Sequence, residues 1–160
     1  MKKEIETFNK LFEEFLEKII GQFDYPKLKT YRRAFILLKD TSPQTPVNIF
    51  MTGCLNYKKE IKERNETFFL KDEKIKENVK SFVNFSQDCG LDIYWKELSP
   101  ATKKAIWDYI QSLFVLGEII VNKDKKQFDK YNSMYVSEYR EEISNLDKGF
   151  SSNFLNKLNS

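Results

Sequence analysis

The sequence predicts an all-α protein: a single compact bundle of about six or seven helices, with one buried helix near its centre at residues 99–121. Three observations carry this expectation. Apolar residues return every third or fourth position through several long windows. Glycines (five) and prolines (four) are few and sit mostly where those windows stop. Charged residues make up 32% of the 160, and Lys and Glu are good helix formers. With 41% hydrophobic and 15% aromatic residues there is enough apolar matter for one core. We therefore expect one domain over residues 1–148 and a tail over 149–160 whose Phe150, Phe154, Leu155 and Leu158 are able to dock on it.

The elements follow in order. In "EIETFNKLFEEFLEKIIGQF" the stripe is Ile5, Phe8, Phe12, Phe15 and Ile19, widened by Leu11 and Leu16, with Glu6, Glu13, Glu14 and Glu17 on the wet side. Gly21 is expected to stop this helix by accepting left-handed backbone. Pro26 restarts the chain, and "KLKTYRRAFILLKD" turns Leu28, Tyr31, Phe35 and Leu38 inward. "TSPQTP" breaks the pattern. Ser42 or Thr45 then caps a short helix with Pro46 in its first turn, although Gly53 weakens it. Residues 58–71 are charged around Phe68–Phe69, an anchor for a loop or short helix. Beyond Asp72, Ile75, Val79, Phe82 and Val83 form a stripe ended by Gly90, and "LDIYW" is a further helical turn. Ser99 caps the next helix and Pro100 fits its first position, where a missing N–H costs nothing. Ile106, Ile110, Leu113 and Gly117 share one face, flanked by Trp107 and Phe114. So wide an arc means cover on more than one side, and Gly117 admits a close neighbour. "VNKDKKQFD" reads as a polar link. The last helix carries Phe128, Tyr131, Tyr135, Tyr139, Ile143 and Leu146, a tyrosine-rich stripe suited to a rim or an interface.

Composition also restricts the chemistry. There is no histidine, which removes the Ser–His–Asp triad, the Cys–His pair and His-ligated metal sites. Cys54 and Cys89 are too far apart for a zinc ribbon and read as small buried hydrophobes. No glycine-rich phosphate loop occurs. The pairs Glu13/Glu17 and Glu73/Glu77 lie one turn apart among lysines, the look of a solvated face. "EIK" at Glu60–Lys62 echoes an acid-x-lysine nuclease element but lacks the strand it needs. We expect no enzyme, no catalytic residue, no cofactor and no metal.

Binding is the remaining class. The net charge of +3 is too small to imply nucleic acid by itself, since the signs are interleaved. The best basic cluster is "YPKLKTYRR", where Lys27, Lys29, Arg32 and Arg33 alternate with Tyr25 and Tyr31. These are the ingredients for phosphate contact and base stacking, with a solvated helix face as the plainer reading. Trp107 reads as core. Trp95, just before the Ser99 cap, divides between core and interface. We take it with Tyr135 and Tyr139 as the contacts of a partner surface, because Trp and Tyr are enriched where proteins bind. No apolar run reaches the about 20 residues of a membrane span, and the amino-terminal stretch has acids throughout, unlike a signal or transit peptide. With only two cysteines, the expectation is a soluble intracellular protein with reduced thiols.

One stretch carries a resemblance. "FLEKIIGQF" at Phe15–Phe23, Phe68–Phe69, Trp95, Leu98–Ser99, Thr102–Lys103 and Ile106–Trp107–Tyr109 resemble the pattern of small proteins of nucleocytoplasmic large DNA viruses, the giant viruses. The likeness spans the first three quarters of the chain and brings no activity with it. It implies a viral origin and a place in infected-cell cytoplasm, a viral factory or the virion. The Lys-, Asn- and Ile-rich composition agrees with an AT-rich genome. The length also invites comparison with the Bcl-2-like helical proteins of poxviruses, but their "NWGR"-type signature is missing and "TGC" at Thr52 does not replace it. The leading expectation is a non-enzymatic interaction or scaffold protein that binds a protein partner or a copy of itself. The alternative is a nucleic-acid-binding accessory factor.

Overall fold

An amphipathic stripe on a long helix has to be covered, and here the first helix is covered by three others. The computed structural model of the protein describes residues 2–69 and 90–130. Helix α1 spans Lys2–Ile20 and buries Ile5, Phe8, Phe12, Phe15, Leu16 and Ile19, the residues of its sequence stripe. Helix α2, Pro26–Thr41, opens with its proline in the first turn and buries Leu28, Ala34 and Phe35. Helix α3, Thr45–Cys54, likewise carries a proline, Pro46, in its first turn and runs through Gly53. Its cap residue is Gln44, and the Ser42 and Thr45 hydroxyls bond each other at 2.6 Å rather than capping the helix. A single 3-10 turn, Leu55–Tyr57, leads into the short α4, Lys58–Glu63.

After α4 the chain reverses through Arg64, a non-glycine residue in left-handed backbone (φ 54°). Asn65 then accepts a hydrogen bond from the Thr67 N–H at 3.0 Å and starts a 3-10 turn, Glu66–Phe68. Phe68 and Phe69 are buried, the anchor expected of them. Helix α5, Leu91–Tyr94, follows Gly90 and passes into a 3-10 turn, Trp95–Glu97. Helix α6, Pro100–Lys123, is the longest described element. Ser99 accepts the Thr102 N–H at 3.1 Å, the cap that the sequence predicts. α1 and α3 pack along α6, α4 lies against it, and α2 leans on α1 and α3. No strand occurs among the described residues, so the all-α expectation holds for them.

Two aromatic clusters fill the interior. Phe12 joins three helices, with Phe35 of α2 at 4.9 Å between ring centroids and Phe50 of α3 at 5.9 Å. Around Trp107, Phe69 lies at 4.7 Å and Trp95 at 5.9 Å, and Phe69 stacks on Trp95 at 4.0 Å. Such pairs add about 0.5–1.5 kcal/mol each beyond the area they bury.

Several expectations change. Gly21 ends α1 without left-handed backbone: among the described residues the glycine with positive φ is Gly90 (φ 75°), where a Cβ would also stand 2.5 Å from the Tyr25 ring. The supposed polar link over 121–129 is helical to Lys123. Asp124 then accepts the Gln127 N–H at 3.1 Å, and 125–130 are helical again, with Phe128 buried. Helix α6 is covered on its α1, α3 and α4 sides, and among the described residues no element packs on its remaining side. The helix expected beyond Asp72, most of the last helix, the tail at 149–160, Glu73, Glu77 and Cys89 lie outside the described residues.

Candidate interaction surface

The open side of α6 is the feature that stands apart from the core. Inward, Ile106, Ile110, Leu113, Gly117 and Ile120 are buried. A Cβ on Gly117 would run into the Met51 sulfur, so α3 approaches as closely as only glycine allows. Outward, Ala101, Ala105, Asp108, Ser112, Val115 and Ile119 follow at spacings of four and three, and all are exposed. Val115 and Ile119 keep 56% and 44% of their surface in water, one turn apart. Two exposed aliphatic side chains one turn apart make a small apolar patch rather than scattered single residues.

Polar contacts fix the edge of this face. From its left-handed turn, Arg64 donates through Nη2 to Asp108 Oδ1 at 2.5 Å and to Gln111 Oε1 at 2.8 Å. The Gln111 amide nitrogen donates in turn to the Ile61 carbonyl at 3.0 Å, which ties α4 to α6. Lys58 pairs with Glu118 at 2.8 Å. At the far end, Lys123 holds Glu4 at 3.1 Å. A hydrogen bond from Glu4's own backbone, and then the Lys123 ammonium, bring that carboxyl down to about 2.

The residues singled out in the sequence fall elsewhere. Trp95 is 1% exposed, held between Phe69 and Trp107 with the Lys103 ammonium 5.4 Å from its ring centroid. As placed here it offers a partner no surface, so the reading of Trp95 as a contact is corrected to core. Its indole N–H has no acceptor among the described residues. Tyr135 and Tyr139 lie outside the described residues. The basic cluster is split by helix geometry. Arg32 faces α1 and pairs with Glu17 at 2.7 Å, while Lys27, Lys29 and Arg33 are exposed without an ion pair among the described residues. Glu13 pairs with Lys39 at 2.9 Å, so both carboxylates of the Glu13/Glu17 pair fasten α1 to α2. Cys54 is fully buried, which pushes its thiol pKa far up and leaves it a poor nucleophile. Glu60 and Lys62 stand on a helix, not on the strand a nuclease element needs.

Among the described residues, an open groove of about 480 Å³ runs between the end of α1 and the start of α6 over Phe15, Ile19, Ala105 and Tyr109. Lys18 stands at its rim, 5.4 Å from the Tyr109 ring centroid, and its bond to the phenol raises its pKa and keeps it charged. Another, of about 660 Å³, lies between the start of α1 and the end of α6. Neither gathers nucleophile, base and anion-stabilising donor in one place. Among the described residues no group of His, Cys, Asp and Glu side chains is placed to hold a metal ion, and no helix is long and apolar enough to cross a membrane.

No family model, curated protein or solved structure matches the chain.

The outward face was missed in the sequence because four of its six members are Ala, Asp or Ser. The signal that was present is the regular four–three spacing, which runs parallel to the apolar stripe on the opposite side of the same helix.

Proposed function

We propose that this protein is a non-enzymatic interaction domain that meets a protein partner through the outward face of α6. One observation supports the reading above the rest: Val115 and Ile119 stand half exposed, one turn apart, on a helix whose other sides form the core. Rigid helical elements hold such side chains in place before binding, so little order is lost on contact. Tyr135 and Tyr139, from the tyrosine stripe, remain candidate contacts; Trp95 does not. The resemblance to giant-virus proteins gives the proposed setting, infected-cell cytoplasm, a viral factory or the virion. The Bcl-2-like alternative has no observation in its favour.

The test is proximity cross-linking of the full chain in infected cells, comparing it with Val115→Ser/Ile119→Ser. Loss of specific cross-links in the double variant, with the helical circular-dichroism signal unchanged, is the expected result. Cross-links indifferent to both residues would end the proposal.

A second reading, nucleic-acid binding, has one observation behind it. Lys27, Lys29 and Arg33 are exposed on α2 with no ion pair among the described residues, and at the start of that helix the Tyr25 ring meets Tyr94 at 6.1 Å, which stacks on Phe23 at 4.5 Å. These three cations make a modest footprint, and binding through them would weaken steeply with salt. Fluorescence anisotropy with single-stranded oligonucleotides at low salt decides it: no binding, or binding unchanged in Lys29→Glu/Arg33→Glu, removes this reading.

A further inference from the structure

Resting on the reading that the outward face of α6 meets a protein, we propose that its partner is a second copy of this chain, packed α6 against α6 in antiparallel fashion about a two-fold axis at the level of Ile110. Ala101, Ala105, Asp108, Ser112, Val115 and Ile119 keep the alternating four–three spacing of a coiled-coil seam, over about 27 Å of helix. What selects a copy of itself is the order of sizes along that seam. The two small residues stand at one end and the two large ones at the other.

Laid antiparallel about residue 110, every layer pairs a large side chain with a small one, or a donor with an acceptor. Ala101 faces Ile119 of the second copy, Ala105 faces Val115, and the Ser112 hydroxyl donates to the Asp108 carboxylate; the two-fold axis repeats all three. Interdigitation of large with small is what fills a helix–helix seam without voids. The Ser112 hydroxyl has no hydrogen bond among the described residues, so it is free for this contact. A parallel pairing would do the opposite. Ala101 would meet Ala101 and Ile119 would meet Ile119, leaving a gap at one end, and each Asp108, already held by Arg64, would meet a second acceptor rather than a donor.

Charge at the edge agrees. Lys104, Gln111 and Glu118 line one border of the seam, and in an antiparallel pair the same borders meet. Lys104 then comes opposite Glu118 of the second copy, twice by symmetry, with Gln111 opposite Gln111. Lys104 is exposed and forms no ion pair within the described chain, while Glu118 already holds Lys58 and has a second carboxylate oxygen to offer. A two-fold interface needs a patch that complements itself, and this face does so in shape, hydrogen bonding and charge.

Sedimentation equilibrium of the full chain, from micromolar to near-millimolar concentration, tests this. A monomer–dimer equilibrium is expected. Ile119→Glu should raise the dissociation constant about tenfold or more, because a carboxylate would then be buried against Ala101. Lys104→Glu and Glu118→Lys should each weaken the dimer, and the two together should restore it. The two positions lie four turns apart on one helix, so only pairing between copies explains rescue. Circular dichroism on each variant separates loss of contact from loss of fold. A monomer at every concentration overturns the inference. So does a dimer indifferent to Ile119→Glu, or one that the charge exchange fails to rescue. If the chain is monomeric and Val115→Ser/Ile119→Ser still abolishes specific cross-links to another protein, self-pairing falls and the interaction reading stands.

Discussion

The two sides of helix α6 obey the same spacing and meet opposite fates. Inward, Ile110, Leu113, Gly117 and Ile120 are closed over by α1 and α3; outward, Ala101, Ala105, Ser112, Val115 and Ile119 face water. Periodicity alone does not decide burial. The inward side has complements within the chain, such as Met51 seated against the bare backbone of Gly117. The outward side has none within the described residues, and its two large members stay exposed. One helix thus carries one side packed into the core and one side left in water.

Substitutions on the two sides should separate this contrast sharply. Trp107→Ala removes the hub of an aromatic cluster that includes Phe68, Phe69 and Trp95 and should destabilise by about 4 kcal/mol in urea unfolding. Gly117→Val forces α3 away from α6 and should cost about 3 kcal/mol by the same measurement. Ser99→Ala deletes the cap at the start of α6, with an expected loss of about 1 kcal/mol, which Ser99→Asp should largely recover. On the outward side, Val115→Ser and Ile119→Ser should move stability by less than about 0.5 kcal/mol while changing association. A large unfolding effect from either would erase the contrast between the two sides.

The smallest effect concerns the fastening of α6 to α1. The Glu4 carboxyl sits at about 2 against an ordinary 4.5. A carboxyl lowered on folding stabilises the fold above its unfolded value and loses that contribution as pH falls from about 4.5 toward about 2. Glu4→Gln should flatten the acid limb of a stability–pH curve over that range. Lys123→Met should move the Glu4 midpoint upward in an NMR titration, though not fully to 4.5, since the backbone hydrogen bond comes first among the causes.

Much of the fold was legible because its signals are local and redundant. The α1 stripe repeats over five turns, and Ser99–Pro100 places a cap and a proline side by side. The Phe68–Phe69 anchor, the cap of α6 and the close approach at Gly117 all appear as the sequence implies. What was not legible depends on partners distant in sequence. Arg64 turns left-handed where no glycine marks a reversal, close to Asp108 and Gln111 on another helix. Trp95 is core because Phe69, twenty-six positions earlier, stacks on it. Arg32 leaves the basic cluster because Glu17 lies across the α1–α2 contact. The outward seam of α6 went unread because alanine and serine count little in an apolar stripe, although they matter when helices meet at close range.

The notch at Gly117 carries one more consequence. The Met51 thioether lies fully sealed against it, with no room for a further atom. Peroxide can add its oxygen to that sulfur only after α3 and α6 have come apart, and the sulfoxide then bars their return. The rate at which Met51 gains sixteen mass units, about one oxygen atom, therefore counts how often the two helices open, a slow clock written into the chain's own chemistry.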